Sequence, residues 1–219
     1  MSDYSSFGGQ RLVAVNLLLP LIGLWTADVV CADGQTLPST GQMTHGNLTV
    51  QGAVFRQGTL GGQTRARIAA GFGGWSKQVG AKGYQSPFGV LLSLVLSELA
   101  AEVGEQVNVA TLATLGNFWH RSAGPAGKAL RAAAGASWWV DNLGIMQITP
   151  RPAGSVTGPF QVEQWDAGAG IMTIAADDVA SWQPGATFAN EQVPTQTISA
   201  VRHVARNDGW ARMRVMVTP

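Results

Sequence analysis

TQTISAVRHVA (Thr195–Ala205), NDG (Asn207–Gly209) and WARMRVMV (Trp210–Val217) read in succession as a strand, a turn and a returning strand. In the returning run Ala211, Met213, Val215 and Val217 share one face, and Trp210, Arg212, Arg214 and Met216 the other. That period of two is what a pleated strand imposes. Asn-Asp-Gly supplies residues that tolerate the left-handed turn conformation.

The same grammar runs backwards through the chain. Leu12–Trp25 (LVAVNLLLPLIGLW) is a buried strand pair broken at Pro20-Leu21-Ile22-Gly23. Its length of about 14 residues falls short of the roughly 20 that a membrane helix needs. Asp3 stands before Arg11, the only early cation, so the start lacks the basic region of a signal peptide. Thr26–Cys31 alternates small polar and apolar residues and ends in a turn at Asp33-Gly34. Thr36–Gly46 reads as a loop. Asn47–Gln57 alternates Leu48, Val50 and Val54 against Thr49, Gln51 and Phe55, with Gly52 as the expected bend or bulge. Thr64–Phe72 is a further strand, closed by Gly73-Gly74-Trp75.

Periodicity then changes. Phe88, Leu91, Leu92, Val95, Leu96 and Leu99 recur at spacings of three and four, Ser86-Pro87 resembles a helix start, and Gly104 a stop. A helix over about 87–103 is expected. A second follows over about 125–134, opened by Gly124-Pro125 and ended by Gly135. Trp138–Val140 and Ile145–Thr149 form a hairpin, Gly170–Ala175 a short strand, and Asp177–Trp182 a helical turn. The fold class is therefore mainly β (α+β). Strands followed by one helix, twice over, point to two small tube-like β-barrel domains, residues 11–108 and 109–219, behind a loose arm of residues 1–10.

Charged residues make up 12% of the 219-residue chain, against a usual value of about 25%. Lys77, Lys82 and Lys128 are the only lysines, and Trp occurs 8 times. Such sparse charge suits a surface covered by other copies or partners. A net charge of +1 gives no global nucleic-acid signature, although Arg202, Arg206, Arg212 and Arg214 make the C-terminal segment locally basic.

No spacing demanded by chemistry is present, so no catalytic, cofactor or metal residue is assigned. Cys31 is the single cysteine, and His45, His120 and His203 form no metal-ligand pattern. Gly124–Ala129 lacks the first Gly and the Ser or Thr of a phosphate loop, with Ser122 and Ala129 there instead. Asp177-Asp178 suits a cap, and Trp165-Asp166 a loop or a glycan-cleaving acid. Trp138-Trp139 must point to opposite sides of a strand, so a partner-facing aromatic is expected there.

Taken in order, Trp25, Gln51-Gly52-Ala53-Val54, Gly73-Gly74-Trp75, Tyr84–Val90, Leu99–Glu105, Phe118-Trp119-His120-Arg121, Gly124–Leu130, Trp138, Pro184-Gly185, Ile198–His203 and Arg212–Val215 resemble the baseplate hub or tail-tip hub proteins of tailed bacteriophages. Those proteins are related to the hub part of type VI secretion spikes. The resemblance spans about Arg11 to Val217. It implies a homotrimer whose six barrels form a pseudo-sixfold ring, joining the tail tube to a spike or tip protein and meeting other baseplate proteins and the tape measure protein. It also implies a virion location after synthesis in the host cytoplasm, no membrane partner, no sequence-specific nucleic acid, and a lumen through which DNA passes. Trp210, Arg212 and Arg214 are then expected at the lumen or ring interface, and Trp138 and Trp139 as partner-facing aromatics. Two other expectations stand beside it: a tail-associated cell-wall hydrolase using Asp166 or Asp177-Asp178, and a carbohydrate-binding module using Trp139.

Overall fold

The computed structural model describes residues 5–31, 34–135, 138–190, 193–206 and 211–218. Trp210, the Asn207–Gly209 turn, Asp33 and the first four residues of the expected arm lie outside them.

Alternation of buried and exposed positions builds the first half into strands β1 (Ser5–Phe7), β2 (Gln10–Pro20), β3 (Thr26–Cys31), β4 (Thr40–His45), β5 (Leu48–Leu60) and β6 (Gln63–Ala70). Their order, β1-β4-β5-β6-β3-β2 with β1 pairing back onto β2, closes a six-stranded barrel. Val15, Leu17, Leu19, Ala27, Val29, Cys31, Ala66 and Ile68 are buried at every second position, as the pleat requires. β4 occupies the segment expected as a loop. Its TGQMTH sequence is weakly apolar, but Met43 and His45 point inward and are buried. The bulge in β5 falls between Val54 and Arg56 rather than at Gly52. Gly52 serves another purpose: a Cβ there would lie 2.5 Å from Cη2 of buried Trp25.

The middle of the chain holds short ribbons and both helices. β7 (Gln78–Val79) pairs with β11 (Gly124–Pro125), and β8 (Lys82–Gln85) with β10 (Phe118–Arg121). β13 (Met146–Gln147) joins β9 (Val107–Asn108) to β12 (Trp139–Val140). Helix α1 spans Leu92–Val103, buries Leu92, Val95, Leu96, Leu99, Ala100 and Val103, and ends on left-handed Gly104. It begins five residues later than its apolar spacing suggests. Ser86 instead turns the chain, accepting from the amides of Phe88 and Gly89. Val90 and Leu92 then bond antiparallel to Gly116 and Ala113, and Phe88 is left 93% exposed. Helix α2 spans Ala126–Ala134 as expected and packs on α1.

The last third adds β14 (Gly154–Ser155), β15 (Phe160–Asp166), β16 (Ile171–Ala176), β17 (Ala186–Phe188), β18 (Gln196–Arg206) and β19 (Ala211–Thr218). β18 pairs with β19, β19 with β16, and β16 with β15. Trp182, fully buried, meets Phe160 and Phe188 with ring centroids 5.1 and 5.2 Å away. β2 unites the two sets. Its start pairs with β1, and Ala14–Pro20, on the same edge, pair with Ala200–Arg206 of β18. One sheet of twelve strands therefore runs from the barrel into the C-terminal hairpin.

Candidate functional site

The acidic residues considered for chemistry are occupied structurally. Asp166 caps the β15–β16 turn by accepting from the Ala169 amide at 3.0 Å. Asp178 accepts from Thr157 Oγ1 at 2.6 Å and from Asn47 Nδ2 at 2.8 Å. With Ser181 adding further donors, these bonds hold its pKa down at about 2, the wrong direction for a general acid. Asp177 is exposed beside it.

Glu105 does a similar task inside the protein. Buried at the end of α1, it accepts from the Phe72 amide with both oxygens at 3.1 Å and from the Gly74 amide at 2.5 Å. Burial raises its pKa and these donors oppose the rise. The Gly-Gly-Trp turn read as a strand terminator is thus pinned by an acid some thirty residues downstream.

Two of the three histidines meet despite their separation in sequence. His45 on β4 and His203 on β18 are both buried, with ring centroids 5.3 Å apart. Burial lowers the His45 pKa to about 4 and pushes His203 well below its usual value. His120 is exposed on β10. Among the described residues no group of three or more His, Cys, Asp or Glu could hold a metal ion. No helix among them is long and apolar enough to cross a membrane.

The tryptophan pair divides. Trp138 is only 6% exposed, with its carbonyl accepting from the Gly23 amide. It packs into the core of this subunit. Trp139 is half-buried. Its Nε1 donates to the Thr149 carbonyl at 3.0 Å, and the Arg151 guanidinium lies 4.7 Å from its ring centroid. Arg151 also reaches the Pro20 carbonyl. One ring face and the indole donor are therefore committed, which removes much of what a stacked sugar needs.

Arg212 and Arg214 do share a face of β19, and the sheet gives that face a context hidden in the sequence. Arg214 stands directly opposite Arg202 of β18. Arg212 pairs with Glu163 of β15 at 2.6 Å. Through Val204, Asn16 and Asp28, the row containing Arg212 continues to Arg67 on β6 and Arg56 on β5. A parallel row runs from Arg206 through Ala14 and Val30 to Arg65. A concavity of about 730 Å³ on this face is lined in part by Arg56, Arg65, Arg67 and Arg206. The alternation of Arg65 and Arg67 is visible in the sequence, but only the β2–β18 pairing brings them beside the C-terminal arginines.

No family model matches the chain, and no curated protein matches its sequence. Solved structures do. A type VI secretion component of E. coli, itself described as structurally similar to bacteriophage T4 tail proteins gp27 and gp5, matches at a TM-score of 0.70 and 9% identity, over 98% of this chain and 76% of that one. A tail protein of Neisseria meningitidis matches at 0.65 and 12% identity, over 97% and 94%. The prophage MuSo2 tail protein of Shewanella oneidensis matches at 0.60 and 8% identity, over 98% and 97%. The chain has the mainly-β fold of these phage-tail and type VI secretion proteins.

Proposed function

We propose that the protein is a structural hub subunit of a phage tail or a related particle. In this reading three copies form a pseudo-sixfold ring that joins the tail tube to a central spike or tip, within the virion. Residues 11–108, with β1 (Ser5–Phe7) closing the barrel, and residues 109–219 supply its two tube-like units. Arg212 and Arg214 lie at the lumen or ring interface, Trp139 near a partner, and tube, spike, baseplate and tape measure proteins are the neighbours.

The observation that carries this is the single sheet passing through β2 from the closed barrel into the C-terminal hairpin, in a fold matched across 98% of the chain. A subunit so built couples its two β units through the backbone hydrogen bonds of one sheet, which suits a closed symmetric ring. Low charge over a 219-residue chain favours burial between copies. Neither the hydrolase nor the sugar-binding reading gains an observation, since Asp166 and Asp178 serve turns and Trp139 is capped by Arg151.

Light scattering on purified protein, with negative-stain imaging of the same fractions, tests the proposal. The expected result is a trimer that appears as a ring. A stable monomer at micromolar concentration, with no ring in the assembled particle, would overturn it.

A further inference from the structure

Seven arginines, Arg56, Arg65, Arg67, Arg202, Arg206, Arg212 and Arg214, project from one face of the strands β5-β6-β3-β2-β18-β19. They are half of the 14 basic residues in the chain. Among the described residues, Asp28 holds Arg67 at 2.9 Å and Glu163 holds Arg212 at 2.6 Å. Among the described residues no acid lies within ion-pair range of Arg56, Arg65, Arg202 or Arg214. The chain carries only +1 in total, so the remainder of the molecule is net negative. Charge is therefore segregated rather than merely present.

The face bears a cost for this arrangement. Arg202 and Arg214 are direct cross-strand partners, both exposed, and like charges so placed destabilise a sheet. An anionic partner removes that cost. Its shape follows from the spread of the charges. Measured along the sheet, which curls with the barrel, six strands at about 4.8 Å spacing span about 24 Å. That is wider than one extended peptide, and wider than a helix of about 10–12 Å diameter. Along a strand, Arg65 and Arg67, and likewise Arg212 and Arg214, repeat at about 7 Å. A broad, regularly charged surface fits this face better than a single acidic segment. Exposed aromatic rings for stacking unpaired bases are absent from the residues lining its concavity.

We propose that this arginine face is a sequence-independent contact surface for the phosphate backbone of double-stranded DNA. The contact is a set of charge-assisted hydrogen bonds from guanidinium to phosphate, with displacement of condensed counterions. It holds for the isolated subunit and does not require the ring.

Fluorescence anisotropy of a labelled random-sequence duplex, titrated with the full chain at several salt concentrations, tests it. Polyglutamate serves as the acidic-peptide probe. The wild-type protein should bind the duplex at low salt and weaken steeply as salt rises. Removing two phosphate contacts should flatten the log–log salt slope by about 1.8, at about 0.9 per contact. Both Arg202→Ser with Arg214→Ser, and Arg56→Ser with Arg65→Ser, should do so. The two pairs come from distant chain segments, so misfolding of one, checked by circular dichroism, leaves the other informative. Lys128→Ser with Arg131→Ser, on α2, should leave the slope unchanged. Absence of salt-dependent duplex binding, an unchanged slope in both arginine pairs, or tighter binding of polyglutamate than of DNA would overturn the inference. Light scattering on the same samples separates this from the ring: a ring without DNA binding sinks the arginine face alone, and DNA binding without a ring sinks the hub reading alone.

Discussion

His45 and His203 lie ring against ring in the interior, centroids 5.3 Å apart and planes at 68°, one on the barrel and one on the C-terminal hairpin. Ser5 Oγ bonds His45 Nδ1 at 2.8 Å, whereas among the described residues neither ring nitrogen of His203 has a hydrogen-bond partner. Arg212, paired with Glu163, borders the same crevice as His45. Burial is the main reason both rings stay neutral, and in His203 the neighbouring His45 adds to it.

This pair makes stability depend on mild acid. The unfolded chain protonates its histidines near pH 6.5, while the folded chain holds His45 neutral down to about pH 4 and keeps His203 neutral well below its usual range. The unfolded state thus binds more protons between these limits. The stabilisation is fully present above pH 6.5 and is lost as pH falls toward 4. His45 alone should cost roughly 1–2 kcal/mol per pH unit well inside that window. Urea midpoints should hold nearly constant from pH 7.5 to 6.5 and then fall as the pH drops to 5. His203→Phe should shallow the fall and stabilise the protein at pH 5, because an unpaired buried polar ring is replaced by an apolar one. A midpoint flat with pH would contradict a buried neutral pair.

Glu105 should prove structural. Replacing it with Ala leaves the amides of Phe72 and Gly74 without their acceptor beneath buried Trp75. The expected loss is about 2–4 kcal/mol in urea unfolding, with faster hydrogen exchange at those two amides than at Leu96 or Leu99 of α1. Wild-type stability in Glu105→Ala would show that the turn holds itself.

Gly52 offers a packing test. A methyl group there would lie 2.5 Å from Trp25 Cη2 and 2.8 Å from Ile68 Cγ2, inside the barrel. Gly52→Ala should destabilise the protein by about 1–3 kcal/mol through overpacking, and thermal melting will measure it. A neutral result would mean that Trp25 has room to shift.

Much of this was legible in the sequence, and the limits have physical causes. Period-two alternation located β3, β6, β18 and β19, and the apolar stripe from Leu92 to Leu99 located α1. Such signals are local. β4 escaped because a strand closing a small barrel needs only Met43 and His45 inward, too few for a visible pattern. The start of α1 was misplaced because apolar spacing cannot reveal that residues 90–92 pair with 113–116. Long-range register is set by packing that no short window contains. The β2–β18 pairing, the histidine contact and the merging of Arg56, Arg65 and Arg67 with the C-terminal arginines all depend on it. The readable part of the candidate face, Arg212 and Arg214, is the part carried on one strand.

Asn47 and Asp178 give the last test, because they tie the β4–β5 turn of the barrel to the turn that follows β16. Asn47 donates to Asp178 Oδ1 at 2.8 Å, and its own carbonyl oxygen accepts from the Ala180 amide at 2.9 Å. Thr157 contributes the largest share of the depression of the Asp178 pKa to about 2, and Asn47 the next. Removing the amide with Asn47→Ala should therefore raise that pKa part of the way back toward 3.8 while Thr157 keeps it below. Carbon-detected NMR titration of the carboxyl group would read the shift. The site is open to solvent, so the accompanying loss of stability should be small. The more telling readout is faster exchange of the Ala180 amide, since its acceptor is gone. An Asp178 pKa unmoved by Asn47→Ala would mean that Asn47 gives the carboxylate no effective hydrogen bond and that Thr157 and Ser181 hold the pKa down.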